Sequence, residues 1–465
     1  MLTMLTFCCT MAFVKDDDMK ISIPTGVAEI IHKLAARGFE AYVVGGCVRD
    51  CLMGRAAQDW DITTNARPAE IKAVFAQHKM VDIGERHGTV AVNAAGKHYE
   101  VTTYRVDGDY SDGRRPDAVS FTHSLKEDLR RRDFTINAMA YSVESGLVDY
   151  FGGREDLNQK VVRCVGNATQ RLSEDYLRIM RAYRFAATLG FSLSSEVRRA
   201  AKQNCESLHA VAPERLRTEF VKILLSDNFD KIEMFFEDCG SVLFPEIMGL
   251  ADFEQNNPYH CHDVLRHSFF VLRQTPADAA MRFAALYHDT GKLHTRTTDD
   301  AGIHHFRGHE SVSCKIAGDA LARLRFDNNT AKRVLTIIKH HDAEFGAERS
   351  AIKHMLYKFG PDMTRDILKF QAADNMAKTE RAREGRLKRV LAAAELLEDI
   401  ISSGEPVKIS DLAISGTDVM KELNISSGSE VGEHLQHLME EVLVDPTVNT
   451  REFLIELLHK SPKAE

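Results

Sequence analysis

Features that mark membrane, secreted and zinc-binding proteins are missing from this chain. None of its apolar runs approaches the ~20 residues that a membrane-spanning helix needs. Its nine cysteines form no CxxC pair, which argues against a zinc module or a disulfide framework and favours reduced thiols. We therefore expect a cytoplasmic protein without a membrane partner.

An excess of positive charge is also missing. The formal net charge of -8 argues weakly against a nucleic-acid-binding protein, although local clustering of Lys and Arg matters more than the total. The hydrophobic content of 44% and charged content of 28% are typical of soluble globular proteins. Because 465 residues exceed one ordinary core, we expect two to four domains.

The chain start does not resemble a secretory signal, because its mildly apolar residues 1–14 lack a basic leader and three aspartates follow. We interpret residues 1–18 as a disordered leader or a start-codon artefact. The later segments that we predict are a head at 19–147, a helical neck and body at 148–255, a His-rich domain at 256–377 and a helical tail at 378–465.

Local patterns predict a small mixed sheet followed by helices. From about residue 167 the strand patterns stop, so we expect an α+β fold with an extended all-helical neck, body and tail. The predicted helices of the first part lie at 25–38, 48–53 and 68–77, and its predicted strands lie at 39–44, 60–63, 81–83, 89–92 and 99–104.

The segment VVGGCVRDCLMG, residues 43–54, has the pattern of a strand, a Gly-Gly turn and a helix. Gly45 and Gly46 let the backbone approach a ligand, and the N–H groups at the helix start suit phosphate. Arg49, one turn later, adds a charged contact. Taken alone, the pattern more often marks a plain tight turn.

Two aspartates follow, in the sequence Asp59-Trp60-Asp61 at the start of a predicted strand. Residues two apart on a strand point to the same side, so both carboxylates face one point. Such a pair suits Mg²⁺, with nucleotide phosphates completing its coordination. The alternative is a pair of solvated aspartates, which the neighbouring glycine turn disfavours.

Five further stretches continue this pattern in a fixed order, from about residue 40 to residue 220. They are DWDITTNARP after the glycine turn, RRDFTINAMAY at 131–141, DYFGGREDL at 149–157, EDYLRIMRAYRFAATLGF at 174–191 and PERLRTEF at 213–220.

Together these motifs resemble the polymerase-β superfamily, in the form found in class II CCA-adding enzymes and bacterial poly(A) polymerases. The resemblance implies a polymerase-β-like nucleotidyltransferase head. It also implies addition of C, C and A to the 3′ end of tRNA from CTP and ATP, with Mg²⁺ as cofactor. Cys47 departs mildly from the family, which usually has a small residue such as Ala there.

The resemblance implies roles for further residues of the head. Arg132 contacts the ribose or the triphosphate, and Asp133 binds a ribose hydroxyl or holds the arginines. An ion-pair cluster at a helix start is the alternative for both. Glu100, on a later strand, is a third carboxylate that activates the primer 3′-hydroxyl, unless it is simply solvated.

Nucleotide choice is assigned by the resemblance to Asp175 and Arg178, three residues apart on a predicted helix. Asp accepts from an exocyclic amine and Arg donates to a ring nitrogen or carbonyl, so the pair reads C and A and rejects G and U. Arg181 and Arg184 extend the ridge toward triphosphate or the tRNA backbone. A solvated, salt-bridged helix face is the alternative.

Three other segments are interpreted as RNA-related. In CCA-adding relatives a loop such as 107–116 lets the site switch from C to A, although an ordinary surface loop has the same composition. The basic segment 378–389 is consistent with tRNA backbone contacts or with a solvated helix face. Residues 407–449 resemble the C-terminal segment that binds the tRNA elbow in those CCA-adding relatives that also carry a His-Asp (HD) domain.

The His-rich segment resembles the HD superfamily of metal-dependent phosphohydrolases in its order His…His-Asp…Asp. The matching ligands are His267, His288, Asp289 and Asp374, which suit a transition metal. His309 with His340 or His341 extends the set to two metals. The alternative is a helical domain that supports tRNA binding without catalysis.

Alternatives to CCA addition remain open at this stage. The nearest is a bacterial poly(A) polymerase or an enzyme that adds only CC or only A. A second is an HD-type metal phosphohydrolase acting on RNA ends, and a third is a non-catalytic RNA-binding protein, against which Asp59 and Asp61 argue. The sequence leaves the oligomeric state open.

Overall fold

The computed structural model divides the chain into two compact units, Met1–Val211 and Ala212–Glu465. This boundary falls inside the predicted neck and body segment, while the finer predicted boundaries stay predictions. The predicted leader and four positions of the loop 107–116 lie outside the described residues. The residues that the structure describes are 21–84, 88–108, 110, 113–114, 116 and 118–460.

The head of the first unit is built on a mixed sheet. The strands described in this unit are β1 Ala41–Val44, β2 Asp61–Thr64, β3 Met80–Gly84, β4 Thr89–Ala94, β5 Lys97–Thr103, β6 Arg105–Asp107, β7 Val119–Phe121, β8 Met139–Ser142, β9 Gly146–Asp149, β10 Val161–Val162 and β11 Ser192–Leu193. Seven of them form one sheet in the order β3-β4-β5-β2-β1-β8-β9.

The pairing of β2 with β5 positions two acidic residues. These strands are parallel, and Ile62 pairs with Val101. Asp61 and Glu100, the residues before them, therefore lie side by side at the same end of the sheet and on the same face. On its other side β2 pairs antiparallel with β1, where Asp61 lies opposite Val44.

The helices of the first unit agree with the sequence patterns to within a few residues, and α3 begins with proline as predicted. They are α1 Thr25–Ala35, α2 Gly46–Leu52, α3 Pro68–Val74, α4 Leu125–Arg130, α5 Gly153–Gln159, α6 Ala168–Glu174, α7 Leu177–Leu189 and α8 Ser195–Gln203.

One face of the sheet carries the head core. Val43, Ile62 and Val101 are fully buried and pack with Val27 and Ile30 of α1. Burying a side chain of this size contributes about 1.5–3 kcal/mol. These apolar contacts hold in place β2 and β5, the strands that carry Asp61 and Glu100.

The second unit is almost wholly helical. Its short strands are β12 Thr297–Thr298 and β13 His304–His305, so the strand patterns predicted to stop near 167 return only as two-residue pairs. Its helices are α9 Pro213–Leu224, α10 Phe229–Phe235, α11 Ser241–Leu243, α12 Pro245–Met248, α13 Val264–Gln274, α14 Ala279–Tyr287, α15 Lys292–Thr295, α16 His309–Arg323, α17 Asn328–His340, α18 Arg349–Met376, α19 Glu380–Ser403, α20 Gly416–Leu423, α21 Ser429–Val444 and α22 Arg451–Lys460.

The predicted fold class is confirmed: a mixed-sheet head is followed by a helical region. Across the described residues we find no helix with the length and apolar character needed to cross a membrane. Among the described residues, Cys47, Cys51, Cys164, Cys261 and Cys314 have free thiols.

Candidate active site

The turn between β1 and α2 requires glycine at its first position. Gly45 has a φ of 83°, a conformation that residues with a side chain rarely adopt. Its N–H donates to the carbonyl of Met139 at 3.2 Å, which ties the turn to β8. A Cβ at Gly45 would lie 3.1 Å from Nη1 of Arg132. The turn therefore brings the backbone close to the Arg132 guanidinium.

We expect Gly45→Ala to raise the KM for nucleotide, because the added methyl group displaces Arg132. Gly54→Ala is the matched control, since Gly54 has a φ of 70° but no atom within 4 Å of an added Cβ. Both variants should lose about 1–2 kcal/mol of stability to the left-handed conformation, measured by urea unfolding. Equal KM values for the two variants would contradict a role of the turn in nucleotide binding.

The carboxylates of Asp59, Asp61 and Glu100 lie together at one end of strands β2 and β5. Desolvation raises the pKa of Asp61, and the charge of Asp59 raises it further, while Arg132 lowers it. Desolvation likewise raises the pKa of Glu100, with the charges of Asp61 and Asp59 adding to the shift. Clustered carboxylates that repel one another in this way are typical of divalent-cation sites.

Asp128 is a buried organiser of this region that the sequence reading missed. It is fully buried in α4 and accepts hydrogen bonds from Oγ1 of Thr63 at 3.1 Å and Nε of Arg131 at 3.0 Å. Nη2 of Arg132 lies 3.7 Å from its second carboxylate oxygen. Asp128 therefore links the strand of Asp61 to both arginines. Its spacing of three and four residues from these arginines was the signal available.

A second buried network starts from Asp133. Arg181 donates to its carboxylate from Nε at 2.8 Å, and Nδ2 of Asn137 donates at 3.2 Å. Oδ1 of Asn137 in turn accepts from Nη1 of Arg49 at 2.7 Å. Burial alone would raise the pKa of Asp133, but the charges of Arg181 and Arg178 hold it well below its usual range. Asn137, also missed from sequence, connects Arg49 of the glycine-turn helix to Asp133, which in turn holds Arg181 of the neck.

The proposed base-reading pair differs from the sequence expectation in one respect. Asp175 does not lie on a helix, because its φ of -137° and ψ of 107° place it in extended conformation between α6 and α7. Its Oδ1 accepts from the backbone N–H of Leu177 at 3.1 Å. Arg178 lies in the first turn of α7. The pair is thus set by a helix start rather than by one helix face.

Arg178 is held by several partners and is only 9% exposed. Nη1 donates to Oε2 of Glu174 at 2.5 Å and to the carbonyl of Arg171 at 2.9 Å, and Nη2 donates to the carbonyl of Arg131 at 3.2 Å. Its guanidinium lies 5.9 Å from the ring centre of Tyr110. Glu174 and Tyr110 are therefore further neighbours of the proposed reader that the sequence did not reveal.

The remaining arginines surround one buried ring. The guanidinium groups of Arg49, Arg181 and Arg184 lie 5.2, 5.4 and 4.0 Å from the ring centre of Phe185. The predicted ridge of Arg181 and Arg184 therefore meets the helix of the glycine turn around Phe185. Three clustered guanidinium groups suit a polyanion such as a triphosphate.

The second unit brings together the four residues predicted as metal ligands. Nε2 of His267 lies 3.0 Å from Oδ1 of Asp374 and 3.6 Å from Oδ2 of Asp289. Nε2 of His288 lies 3.2 Å from the same Asp289 oxygen and 3.8 Å from the Asp374 oxygen. All four side chains are at most 2% exposed.

Two further histidines extend this cluster. Nε2 of His309 and Nε2 of His341 lie 3.2 and 3.7 Å from Oδ1 of Asp289. The sequence left His340 and His341 as alternatives. The structure selects His341, because the ring of His340 packs 4.8 Å from that of Phe359. Asp289 thus turns one oxygen to each group of histidines.

The backbone contacts of three histidines favour metal binding. Nδ1 of His288, His309 and His341 lies 2.7–3.0 Å from a backbone carbonyl three residues earlier. An Nδ1–H in that position leaves the Nε2 lone pair free for a ligand, as in most metal-binding histidines. Within the described chain, Nε2 of His288 is buried without a hydrogen-bond partner. The donor set therefore fits a transition metal.

The fold of the first unit and its carboxylate, glycine and arginine groups define a nucleotidyltransferase. Three family models match separate parts of the chain. They are the Poly A polymerase head domain at 41–163, the probable RNA and SrmB-binding site of polymerase A at 190–249 and the putative tRNA nucleotidyltransferase domain 2 at 309–458.

The chain belongs to the family of CCA-adding enzymes. It is 36% identical to the CCA-adding enzyme of Bacillus velezensis over 430 residues, which are 92% of this chain and 96% of that relative. It is 48% identical to the CCA-adding enzyme of Geobacillus stearothermophilus over 195 residues, 42% of this chain and 48% of that relative. The predicted family and enzyme class are confirmed.

Solved structures agree with this assignment. The CCA-adding enzyme of Bacillus stearothermophilus in complex with CTP has a TM-score of 0.69 at 28% identity, covering 94% of this chain and 96% of that chain. The Thermotoga maritima CCA-adding enzyme complexed with tRNA has a TM-score of 0.57 at 21% identity, covering 93% and 94%. The latter likeness is one of fold alone.

Proposed function

We propose that this chain adds C, C and A to the 3′ end of tRNA from CTP and ATP without a nucleic-acid template. The observation that carries the proposal is the grouping of Asp59, Asp61 and Glu100 at one end of β2 and β5, in a member of the CCA-adding family. Because tRNA and nucleoside triphosphates are its substrates, we place the protein in the cytoplasm.

Asp59 and Asp61 are the proposed Mg²⁺ ligands, because their charges repel each other and that of Glu100. Held there, Mg²⁺ would neutralise phosphate charge and would make the primer hydroxyl more acidic. Glu100 accepts the proton of the primer 3′-hydroxyl. The resulting oxygen attacks the α-phosphorus in line, and pyrophosphate leaves.

The arginines of the head and neck bind the triphosphate. Arg132 lies beside Gly45 and Asp61, and Arg49, Arg181 and Arg184 surround Phe185. Their fixed positive charges favour the charge that develops on the leaving pyrophosphate. Asp133 is a positioning residue here, since it holds Arg181 directly and reaches Arg49 through Asn137.

Asp175 and Arg178 are the proposed readers of the base edge. In the present arrangement Arg178 is bonded to Glu174 and to two backbone carbonyls. These contacts fix the orientation of the guanidinium, and a fixed donor array discriminates between bases better than a mobile one.

Incubation of the protein with tRNA lacking CCA, supplied with each nucleotide in turn, tests the reaction directly. Sequencing of the 3′ ends should show CC with CTP alone and CCA with CTP and ATP. A run of A would indicate poly(A) polymerase activity, and arrest at CC with both nucleotides would indicate a CC-adding enzyme. Either product would contradict full CCA addition.

The structure changes the expected role of two basic residues in the predicted RNA-binding tail. Lys378 forms an ion pair with Asp374, and Arg386 donates to Asp342 and Glu344, so both charges are already paired with carboxylates. Other basic residues of α19, and the region 407–449, remain the proposed contacts with tRNA. Binding through phosphate contacts should weaken as salt increases.

A second candidate function is metal-dependent phosphoester hydrolysis in the second unit. The specific observation is the buried grouping of His267, His288, Asp289 and Asp374, in which Nε2 of His288 lies 3.2 and 3.8 Å from carboxylate oxygens of the two aspartates. These residues would hold the metal, which would supply an activated water for hydrolysis. His309 and His341 would serve a second ion on the other oxygen of Asp289.

We expect His288→Ala to remove the transition metal, because the ligand lone pair is lost from a closed donor set. The measurement is elemental analysis after loading with Mn²⁺, in chains that also carry Asp59→Ala and Asp61→Ala to remove the head site. His340→Ala, which removes a nearby histidine outside the cluster, should keep the parent metal content. Equal content in all three chains would end the metal assignment.

A further inference from the structure

The ring of Phe185 contacts a cluster of arginines in the head and neck. Phe185 lies on α7 and is 5% exposed. The arginine cluster consists of Arg49, Arg181 and Arg184, whose guanidinium groups lie over this ring at 5.2, 5.4 and 4.0 Å from its centre. These distances are within the ~6 Å over which the negative face of an aromatic ring attracts a cation. The ring therefore contacts the whole arginine cluster rather than a single member of it.

Carboxylates hold two members of the arginine cluster. Arg181 donates to Asp133 from Nε at 2.8 Å, and Arg49 donates to Asp50 from Nε at 2.9 Å. These two carboxylates and the three guanidinium groups sum to one positive charge. Like charges gathered around one point repel each other, so the cluster needs a further source of attraction.

An aromatic ring supplies this attraction without a formal negative charge. The face of the ring carries excess electron density and its edge does not. A third carboxylate at the same place would also hold the arginines, but it would repel an incoming triphosphate. A ring leaves the positive charge of the arginines available to the phosphates. Phenylalanine thus suits a position beneath a polyanion site better than an acidic residue does.

The direction of the ring face is fixed by a second aromatic ring. Phe134 is fully buried and meets Phe185 edge to face, with ring centres 5.7 Å apart and an angle of 80° between the planes. The N–H of Phe134 donates to Oδ1 of Asp133 at 2.8 Å, and Asp133 also holds Arg181. One short segment therefore orients both the ring and an arginine that lies over it.

The arginine cluster adjoins the glycine turn. Nη2 of Arg49 lies 3.6 Å from the place that a Cβ on Gly46 would take, and Nη1 of Arg132 lies 3.1 Å from the place that a Cβ on Gly45 would take. Each glycine of the turn thus has a guanidinium group against it. Arg49 joins the turn to the ring of Phe185.

We propose that Phe185 is a positioning residue for nucleotide binding, whose ring face holds the arginine cluster in the array that receives the triphosphate. The proposal rests on the proposed nucleotide addition and assigns a role in it to a side chain that has no polar atom. Because the ring acts through arginines and phosphates, its loss should affect CTP and ATP equally. Base choice, which we assign to Asp175 and Arg178, should not change.

The test replaces Phe185 in the full chain by phenylalanines that carry one, two or three fluorine atoms on the ring. Fluorine withdraws electron density from the ring face and weakens its attraction for cations, while the ring keeps nearly the same shape. The Kd for CTP, measured by calorimetry with Mg²⁺ present, should rise stepwise, by about ten-fold across the series. A Kd that stays constant across the series overturns the proposal.

Phe191 is the matched control for packing. It is 1% exposed, belongs to the same unit and lies outside the arginine cluster. The same fluorine series at Phe191 should leave the Kd for CTP at the parent value. Parallel increases at both positions would show that fluorine acts through packing, and the positioning role would then be wrong.

Pyrophosphate and ATP show which part of the nucleotide is affected. Binding of both should weaken along the Phe185 series by the same factor as binding of CTP. If CTP alone binds more weakly, the ring acts on the base rather than through the arginines, and the proposal fails.

Phe185→Leu adds a kinetic measurement, because leucine keeps an apolar side chain but removes the ring face. The KM for CTP and the KM for ATP should both rise by about ten-fold, with the preference for C over U unchanged. Urea unfolding reports the stability of the variant, and a folded variant with parent KM values contradicts the proposal. A parent chain that binds no CTP would overturn the proposed nucleotide addition as well, whereas parent binding with a flat fluorine series overturns only the role of Phe185.

Discussion

Asp61→Asn is expected to lower the rate of nucleotide addition by about a thousand-fold or more. The substitution keeps the shape of the side chain but removes one negative charge from the group formed with Asp59 and Glu100. A carboxylate that positions a metal at the reacting phosphate contributes several kcal/mol to the transition state, and each 1.36 kcal/mol changes the rate about ten-fold. The largest part of the loss should appear in kcat.

The measurement is single-turnover addition of CMP to tRNA lacking CCA. Glu144→Gln is the matched control, because it also converts a carboxylate to an amide in the same unit, at an exposed position between β8 and β9. The control should retain the parent rate, and thermal unfolding should show both variants folded. A folded Asp61→Asn protein with more than about a tenth of the parent rate would exclude Asp61 as a metal ligand.

The local motifs of the head could be predicted because neighbouring residues determine them. The φ of 83° at Gly45 explains why a glycine stands at the turn, and proline at the start of α3 marks a helix start in any context. The apolar strands are recognisable from composition for the same reason. Such features need no knowledge of distant parts of the chain.

The contacts that orient the site residues could not be predicted in this way. Asp128 accepts a hydrogen bond from Thr63, which lies 65 residues earlier in the chain. Asn137 joins Arg49 to Asp133, and Arg49 lies 88 residues before Asn137. A buried polar side chain takes its partners from the tertiary fold. A pattern of residue types along the chain carries no information about which distant partner is chosen.

The sequence shows which residues of the segment 378–389 are basic, but it does not show which of these charges pair with acidic residues in the fold. From the sequence, its basic residues are consistent with tRNA backbone contacts or with a solvated helix face. In the structure Lys378 neutralises Asp374, and Arg386 pairs with Asp342 and Glu344. A charge that is already paired with a buried partner contributes little to a long-range field. Packing therefore decides which charges remain available to RNA.

The combined change Asp175→Ala with Arg178→Ala is expected to relax nucleotide choice while leaving Mg²⁺ binding in the head intact. A site that hydrogen-bonds a base edge rejects the wrong base because its own buried polar groups would then be unpaired. Each such hydrogen bond contributes about 1–3 kcal/mol. Loss of both should lower the preference for C over U by about a hundred-fold or more, measured as the ratio of kcat/KM values.

Stability must be separated from selectivity in this experiment, because Arg178 is bonded to Glu174 and two backbone carbonyls. Asp175→Ala alone removes one proposed base contact without exposing those partners. Glu196→Ala with Arg199→Ala is the matched control, since it removes an acid and an arginine three residues apart on exposed positions of α8. It should keep base choice unchanged. If the double variant at 175 and 178 is folded, binds Mg²⁺ and still incorporates only C and A, nucleotide choice lies elsewhere, and the arginines around Phe185 become the next residues to test.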